Sequence, residues 1–255
     1  MAQEDDIIAL ADLPAALGLL TRLPVQVDLK QVAARGARAA WAWPLVGVVT
    51  GGLGALTGAA ATAVGLPTAV AAGLVLAVLV GVTGALHEDG LADCADGFWG
   101  GQDRTRRLEI MKDSRIGAFG VIALALSLGL RWAAIAALID AQAPWLSLAA
   151  AGMLSRAPMA ALSAYLPYAR AGGLSRAVGR PPAQAVWLGA GLAVLLALVV
   201  AGWTGLAAAF VAGAAGLATG LVARAKIGGQ TGDVLGAAQQ LAEIAVLCVL
   251  VASAD

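Results

Sequence analysis

The residues of this 255-residue chain that could do chemistry gather in one polar segment, HEDGLADCADGFWGGQDRTRRLEIMKDSRIGAFG, residues 87 to 120. It contains the single histidine and seven of the 16 acids. If residues 88 to 97 continue the preceding apolar run as helix, Asp89, Asp93 and Asp96 fall at i, i+4 and i+7, within an arc of about 60°. Three carboxylates on one face repel, which disfavours the helix unless solvent screens them or a divalent cation neutralises them. Hard oxygen ligands suit Mg²⁺ or Mn²⁺, ions that keep several waters and share their coordination with substrate phosphates. A solvated acidic face is the competing reading, yet glycines at 90, 97, 100 and 101 add nothing to solubility and permit close backbone approach. His87 either orients a carboxylate or touches substrate, since one imidazole among carboxylates does not make a zinc site.

Lys112 and Arg115 bracket Asp113 just before the next apolar run. Basic groups there commonly set topology alone, but beside an acid cluster they complete the set that holds a diphosphate. A metal bridges its oxygens while Lys or Arg takes the charge of the leaving phosphate. Farther on, RAKIGGQTGDVLGAA places Gly228, Gly229, Gly232, Thr231 and Asp233 before the last apolar run. Backbone N–H groups at a helix N-terminus bind anions; equally, Asp233 can be an N-cap and the glycines a turn.

The elements that position these residues follow from composition. The chain is 60% hydrophobic and 13% charged, with a mean hydropathy of +0.85, about half the charge of a water-soluble domain. Residues 39–86 and 181–223 carry no Asp, Glu, Lys or Arg. Each of these runs accommodates two spans of about 20 residues. The expectation is an all-α polytopic membrane bundle of about seven spans: 42–64, 68–86, 117–139, 144–165, 183–202, 204–223 and 234–252. The 16 basic residues balance the 16 acids, which excludes a nucleic-acid binder. Two cysteines, one in a polar segment and one in an apolar run, give no disulfide framework.

Basic residues alternate across these spans. Fourteen of the 16 precede the first span or lie in the loops after the second, fourth and sixth, so the positive-inside rule puts the N-terminus and the long loops in the cytoplasm. The first 41 residues hold an apolar stretch too interrupted to span, expected at the interface, then a short helix begun by Asp28 as N-cap. No targeting peptide is read in MAQEDDII. The organisation is a single integral-membrane domain over 1–255, with an interfacial segment at 1–41, an acidic loop at 87–116 and further cytoplasmic loops at 166–182 and 224–233. Charges inside spans are functional hypotheses by default. Arg156 and Glu243, each about 15 Å from the cytoplasmic end, are expected to pair, with Arg156 also a substrate-binding candidate; Arg131 is expected to snorkel to the outer face.

At EDGLADCADG, LEIMKDSRIGAFG and GGQTGDVLGAA, with LLTRLPV, WPLVG, LSR and LPYAR in the same order, the chain resembles the cobalamin synthase family, the adenosylcobinamide-GDP ribazoletransferases. The likeness covers nearly the whole chain. It implies a Mg²⁺-requiring multi-pass enzyme of the prokaryotic inner membrane, surrounded by lipid. Its substrates would be a corrinoid nucleotide, adenosylcobinamide-GDP, and α-ribazole or its 5′-phosphate. The ribazole 3′-hydroxyl attacks the cobinamide-side phosphorus and GMP leaves. Homo-oligomers and association with other late enzymes of the pathway are compatible with it. By the resemblance, Glu88, Asp89, Asp93 and Asp96 are metal ligands or a base, and Asp89, Asp93, Lys112 and Arg115 form the catalytic set. His87, Arg156, Arg170, Gly228, Gly229, Thr231 and Asp233 bind substrate or phosphate. Cys94 departs from the family's pattern at a small polar position where Thr is expected.

Two other enzyme classes share the metal and diphosphate logic. CDP-linked alcohol phosphotransferases require Asp-Gly-x-x-Ala-Arg, and here Asp93 follows Asp89-Gly90-Leu91-Ala92. Lipid prenyltransferases need two aspartate-rich motifs, and one is present. A transporter using Arg156 and Glu243 predicts internal symmetry, which the sequence lacks.

Overall fold

A computed structural model describes residues 7–143 and 145–254, which form helices joined by short turns. Among them the sole β-type contact is a parallel bridge between Tyr168 and Gln230. Helix α1 (Asp12–Leu20) and helix α2 (Leu29–Arg35) precede a 3-10 segment, Gly36–Ala42, that runs into α3 (Trp43–Ala63). Asp28 caps α2 by accepting from the Lys30 amide at 2.9 Å. The helix stops at Arg35 because Gly36 takes a positive φ of 49°.

Asp12 fastens the N-terminal stretch to the bundle. Its carboxylate is fully buried and accepts Arg35 Nε at 2.9 Å, Arg35 Nη2 at 2.7 Å and Trp41 Nε1 at 2.7 Å. Burial works to raise the Asp12 carboxyl, but the hydrogen bonds from Arg35 and Trp41 outweigh it and hold the group below the usual carboxylate range.

The remaining helices are α4 (Thr68–Thr83), α5 (Leu86–Gly100), α6 (Arg104–Ile110), α7 (Ala118–Asp140), α8 (Leu146–Tyr165), α9 (Leu174–Val178), α10 (Ala183–Ile227) and α11 (Gly232–Ala252). Helices α8 and α11 are largely buried, with α3, α5, α7 and α10 around them. Large apolar side chains point outward: Trp203 is 85% exposed and Phe210 76%. A water-soluble surface does not carry such a belt, whereas lipid accepts it.

Four helical stretches, Val32–Ala63, α7, α10 and α11, are long and apolar enough to cross a membrane, and the bent pair α4 and α5 makes a fifth. The expected seven is therefore too many by length and composition. Helix α10 accounts for part of the difference only because its 45 residues count as one stretch: it breaks at Gly202, where φ is 56°, at the boundary expected between 183–202 and 204–223. Its arms fold back so closely that a side chain on Gly205 would meet the Ala197 carbonyl. Helix α8 carries Arg156 and a run of Ala and Ser that lowers its hydropathy.

The acidic segment does not prolong the second span. The chain turns through 86° between α4 and α5, at Gly84 (φ 63°) and Ala85 (φ 57°), both left-handed. For alanine that conformation costs about 1–2 kcal/mol. A side chain at Gly84 would strike Arg22, whose backbone amide donates to the Val82 carbonyl at 2.7 Å.

Helices α3 and α8 meet backbone to backbone. A Cβ at Gly47 would lie 2.1 Å from the Gly152 carbonyl carbon, and one at Gly51 would lie 2.5 Å from the Leu148 oxygen. Two glycines four apart thus form the face that α8 rides on, since small residues let helices approach where lipid gives no hydrophobic drive. Gly47→Val should force the pair apart and cost at least about 1–3 kcal/mol. The expected reading is a lower midpoint in thermal unfolding of detergent-purified protein, with Gly52→Val, whose Cβ would meet open space, close to the parent.

Candidate functional site

The acids of α5 reach those of α11 because two glycines bring the helices together. A Cβ on Gly90 would come within 2.7 Å of the Asp233 carbonyl oxygen, and one on Gly236 within 3.2 Å of the His87 Cα. At this crossing Asp89 is exposed and Asp93 half-buried, and Asp93 feels the charge of Asp233 first and then that of Asp89. Arg170, from the loop after α8, pairs with Asp233 at 3.3 Å. Asp89, Asp233, Arg170 and His87 line one cavity of about 190 Å³, with Leu20 of α1 and Met159 of α8 on its apolar side. Two carboxylates in the cavity, with Asp93 within electrostatic reach, stand near one guanidinium, an arrangement that attracts a cation and an anionic ligand together.

Other predicted residues lie elsewhere or serve the fold. Asp96 accepts from the backbone amides of Gly117 at 2.7 Å and Gly120 at 2.8 Å, capping the N-terminus of α7. Both of its oxygens are engaged, so it is separated in role from Asp89 and Asp93 although it shares their helix face. Glu88 points into the bundle, away from the cavity, as described below. Arg115 closes on its neighbour Asp113, at 2.6 Å from Nη2 to Oδ2, and together with the Arg115 amide this holds the Asp113 carboxyl down at about 2. Lys112 is exposed and lines a second, larger cavity that also reaches Arg170.

The glycine segment acts mainly in the turn that the sequence left as an alternative. Gly228 is the left-handed C-cap of α10, with φ 78°. A side chain on Gly229 would collide with the Pro167 carbonyl at 2.0 Å. Thr231 caps α11 by accepting from the Val234 amide at 3.4 Å, and its hydroxyl donates to Asp233 Oδ2 at 3.1 Å.

The loops are joined at one end of the bundle. The Ala169 amide donates to the Gln230 carbonyl at 2.9 Å and the Gln230 amide to the Pro167 carbonyl at 2.8 Å. The Ser175 hydroxyl donates to Gln230 Oε1 at 2.6 Å. Arg104 of α6 donates to the Ile227 carbonyl at 2.8 Å and to the Ala169 carbonyl, and Arg107 reaches the Lys226 carbonyl at 3.0 Å. These arginines tie three loops into one platform and hold Arg170 beside Asp233.

Beneath the carboxylates lies a buried polar network that the sequence reading missed. Arg131 of α7 donates to Glu88 Oε1 at 2.6 Å, to Gln240 Oε1 at 3.0 Å and to Glu243 Oε1 at 3.1 Å. Gln240 Nε2 also donates to Glu88 at 3.1 Å, while Gln239 donates to Glu243 and to Ser155. Arg131 is therefore no snorkelling residue: it is 2% exposed and joins α5, α7 and α11. The expected pairing of Arg156 with Glu243 is replaced. Arg156 donates to the Gly152 carbonyl at 2.9 Å, and among the described residues Glu243 forms its ion pair with Arg131. His87 Nε2, Glu88 Oε2 and Arg156 Nε remain buried without partners, and their residues line a void of about 10 Å³, about the size of one water. The available signal was Gln239, Gln240 and Glu243 on one apolar helix, polar groups that lipid does not tolerate.

Helices and site together define a membrane-embedded α-helical protein with clustered carboxylates and a guanidinium at one end of the bundle. The sequence pattern of the cobalamin-5-phosphate synthase family matches residues 12–251, and the chain belongs to that family. It is 44% identical to the adenosylcobinamide-GDP ribazoletransferase of Bradyrhizobium diazoefficiens, over 95% of this chain and 94% of that one. The Azorhizobium caulinodans protein of the same name is 48% identical over 93% and 94%, and the Pseudomonas paraeruginosa one 42% over 95% and 98%. No solved structure matches the chain.

The network predicts a stability pattern. Arg131→Met leaves Glu88 and Glu243 as buried carboxylates without their cation, at a cost of about 3–5 kcal/mol. Replacing all three, Glu88→Gln with Arg131→Met and Glu243→Gln, should recover most of the lost thermal stability in detergent. A triple variant no more stable than the single one would refute the clamp.

Proposed function

We propose that this chain transfers the cobinamide phosphate of adenosylcobinamide-GDP to α-ribazole or its 5′-phosphate, releasing GMP. One observation carries the assignment to this site: three segments that carry the family resemblance, on α5, on the loop after α8 and at the start of α11, converge on one cavity through Asp89, Arg170 and Asp233. In the reaction the ribazole 3′-oxygen forms a bond to the cobinamide-side phosphorus. The bond from that phosphorus to the bridging oxygen breaks, and GMP departs with the electron pair. On this reading Asp89, exposed at the cavity, accepts the hydroxyl proton. On the same reading Arg170 binds the diphosphate, where its fixed charge opposes the charge gathering on the leaving phosphate.

The donor set suits Mg²⁺, with Mn²⁺ the alternative. Among the described residues no three His, Cys, Asp or Glu side chains converge closely enough to form a metal site by themselves. Mg²⁺ takes one or two carboxylates and completes its shell from water and phosphate, which fits Asp89, Asp93 and Asp233. When bound, the ion would neutralise phosphate oxygens and lower the repulsion that an attacking oxygen meets. Glu88 and Asp96, engaged by Arg131 and by the α7 amides, are left out of this set.

The charged end carries the long basic loops, so the positive-inside rule puts it in the cytoplasm, in the inner membrane of a prokaryote. There a large polar corrinoid reaches the cavity from water.

Detergent-purified protein given adenosylcobinamide-GDP and α-ribazole should yield corrinoid product and GMP with Mg²⁺, and none after chelation. Asp89→Asn should lower turnover about 10²–10⁴-fold, while Asp113→Asn, in a surface ion pair that lines neither cavity, stays near the parent. Full turnover by Asp89→Asn would move the reacting centre elsewhere.

A further inference from the structure

Arg170 lines two cavities. Opposite the carboxylates, between α6 and the loop before α9, lies an open cavity of about 510 Å³, bounded by Arg104, Glu109, Lys112, Tyr168, Arg170 and Arg176. That volume is within the range of small-ligand sites, about 300–1,000 Å³. Four cations and one carboxylate surround it, the charge balance that a phosphate-bearing ligand requires.

The cations differ in what they are free to do. Arg104 is committed to the Ile227 and Ala169 carbonyls, and Arg170 leans on Asp233. Arg176 rests 5.3 Å above the Tyr168 ring. Lys112 makes no side-chain hydrogen bond or ion pair among the described residues. Lys112 and Arg176 are therefore available to a ligand's charge.

Glu109 is the feature that a simple phosphate site does not need. Its one ion pair is an exposed contact with Arg106 at 3.1 Å, with both side chains about 60% exposed, a bond worth little in water. A carboxylate accepts hydrogen bonds and donates none when ionised. Guanine presents two adjacent donors on one edge, a ring N–H and an exocyclic amino group. Adenine presents an acceptor at the same ring position, which a carboxylate repels.

The geometry points to this cavity as the subsite for the guanylate half of the donor, with Lys112 and Arg176 on its charge and Glu109 reading the guanine edge. The inference rests on the transfer reaction proposed above. It divides the substrate at Arg170: the diphosphate lies against that guanidinium, the departing nucleotide on the α6 side and the attacking ribazole on the carboxylate side. The cationic pocket would thereby stabilise GMP as it leaves, when its phosphate gains a charge.

Equilibrium binding of GMP and AMP to the purified full-length protein, in chelator and without corrinoid, tests the subsite apart from turnover. The parent is expected to bind GMP at least tenfold tighter than AMP. Glu109→Gln, which offers one donor and one acceptor in place of two acceptors, should remove that preference. Arg176→Ala should weaken both nucleotides by a similar factor. Equal affinity of the parent for GMP and AMP, or an unchanged preference in Glu109→Gln, would overturn the assignment whether or not the protein turns over adenosylcobinamide-GDP. If the parent prefers GMP but gives no corrinoid product in the parallel assay, the subsite stands and the transfer reaction fails.

Discussion

A guanidinium enclosed in an apolar helical bundle has to be matched where it stands, because neither lipid nor core side chains can solvate it. Arg131 is matched by Glu88 from α5 and Glu243 from α11, and Gln240 supplies the third contact. Since the three partners come from two other helices, satisfying one charge fixes three elements at once. Glu88 immediately precedes Asp89, so the same bond that answers Arg131 from below sets the height and rotation at which the cavity-facing carboxylates emerge. Sliding α5 along α11 by a single residue would break the pairs and leave two carboxylates and a guanidinium buried apart.

That clamp explains how like charges are tolerated above it. Asp89, Asp93 and Asp233 would move apart if their helices could, yet Gly90 and Gly236 allow a backbone contact that side chains would forbid and the buried network holds it closed. Arg170 offsets part of the repulsion at 3.3 Å from Asp233. It is held there by a platform of main-chain carbonyls and amides, with Arg104 and Arg107 as its fasteners. Ala85 carries a related cost, because its left-handed conformation allows α5 to turn 86° from α4 and present its acids to α11. Strain of this kind persists where the surrounding packing over-determines it.

The helices and the site were legible to different depths. Apolar length marked the long helices α3, α4, α7, α8, α10 and α11, since a run of uncharged residues has few other solutions in lipid, but not α6 or α9, which lie in stretches expected as loops. It marked the break of α10, expected between 202 and 204 and found at Gly202, but not that α4 ends at Gly84, because one left-handed glycine inside a glycine-rich run looks like every other. Periodicity placed Asp89, Asp93 and Asp96 on one face correctly. The different tasks of Asp96 and Asp93 depend on the start of α7, whose amides approach Asp96 through a tertiary contact that no spacing encodes. Arg131 was misplaced because counting depth along a span says nothing about which helix faces it. The neighbouring Gln239 and Gln240 were the readable hint that a polar partner had to be supplied inside the bundle.

Arg170 brings these threads together, because it belongs to neither cavity alone. A diphosphate has two phosphorus centres a few bonds apart, and a transferase must activate one while releasing the other. Carboxylates on one side of a single guanidinium and lysine and arginine on the other create opposite potentials across that short distance. In the proposed reaction the attacking hydroxyl takes the acidic side, where its proton can be taken up, and the departing phosphate the basic side, where its new charge is met. On the proposed reaction, the order of charges along one end of the bundle would set the orientation of the bound diphosphate. That order is held by hydrogen bonds to backbone groups and by the buried Arg131 clamp, so substitutions that leave every residue around the two cavities intact can still disturb it.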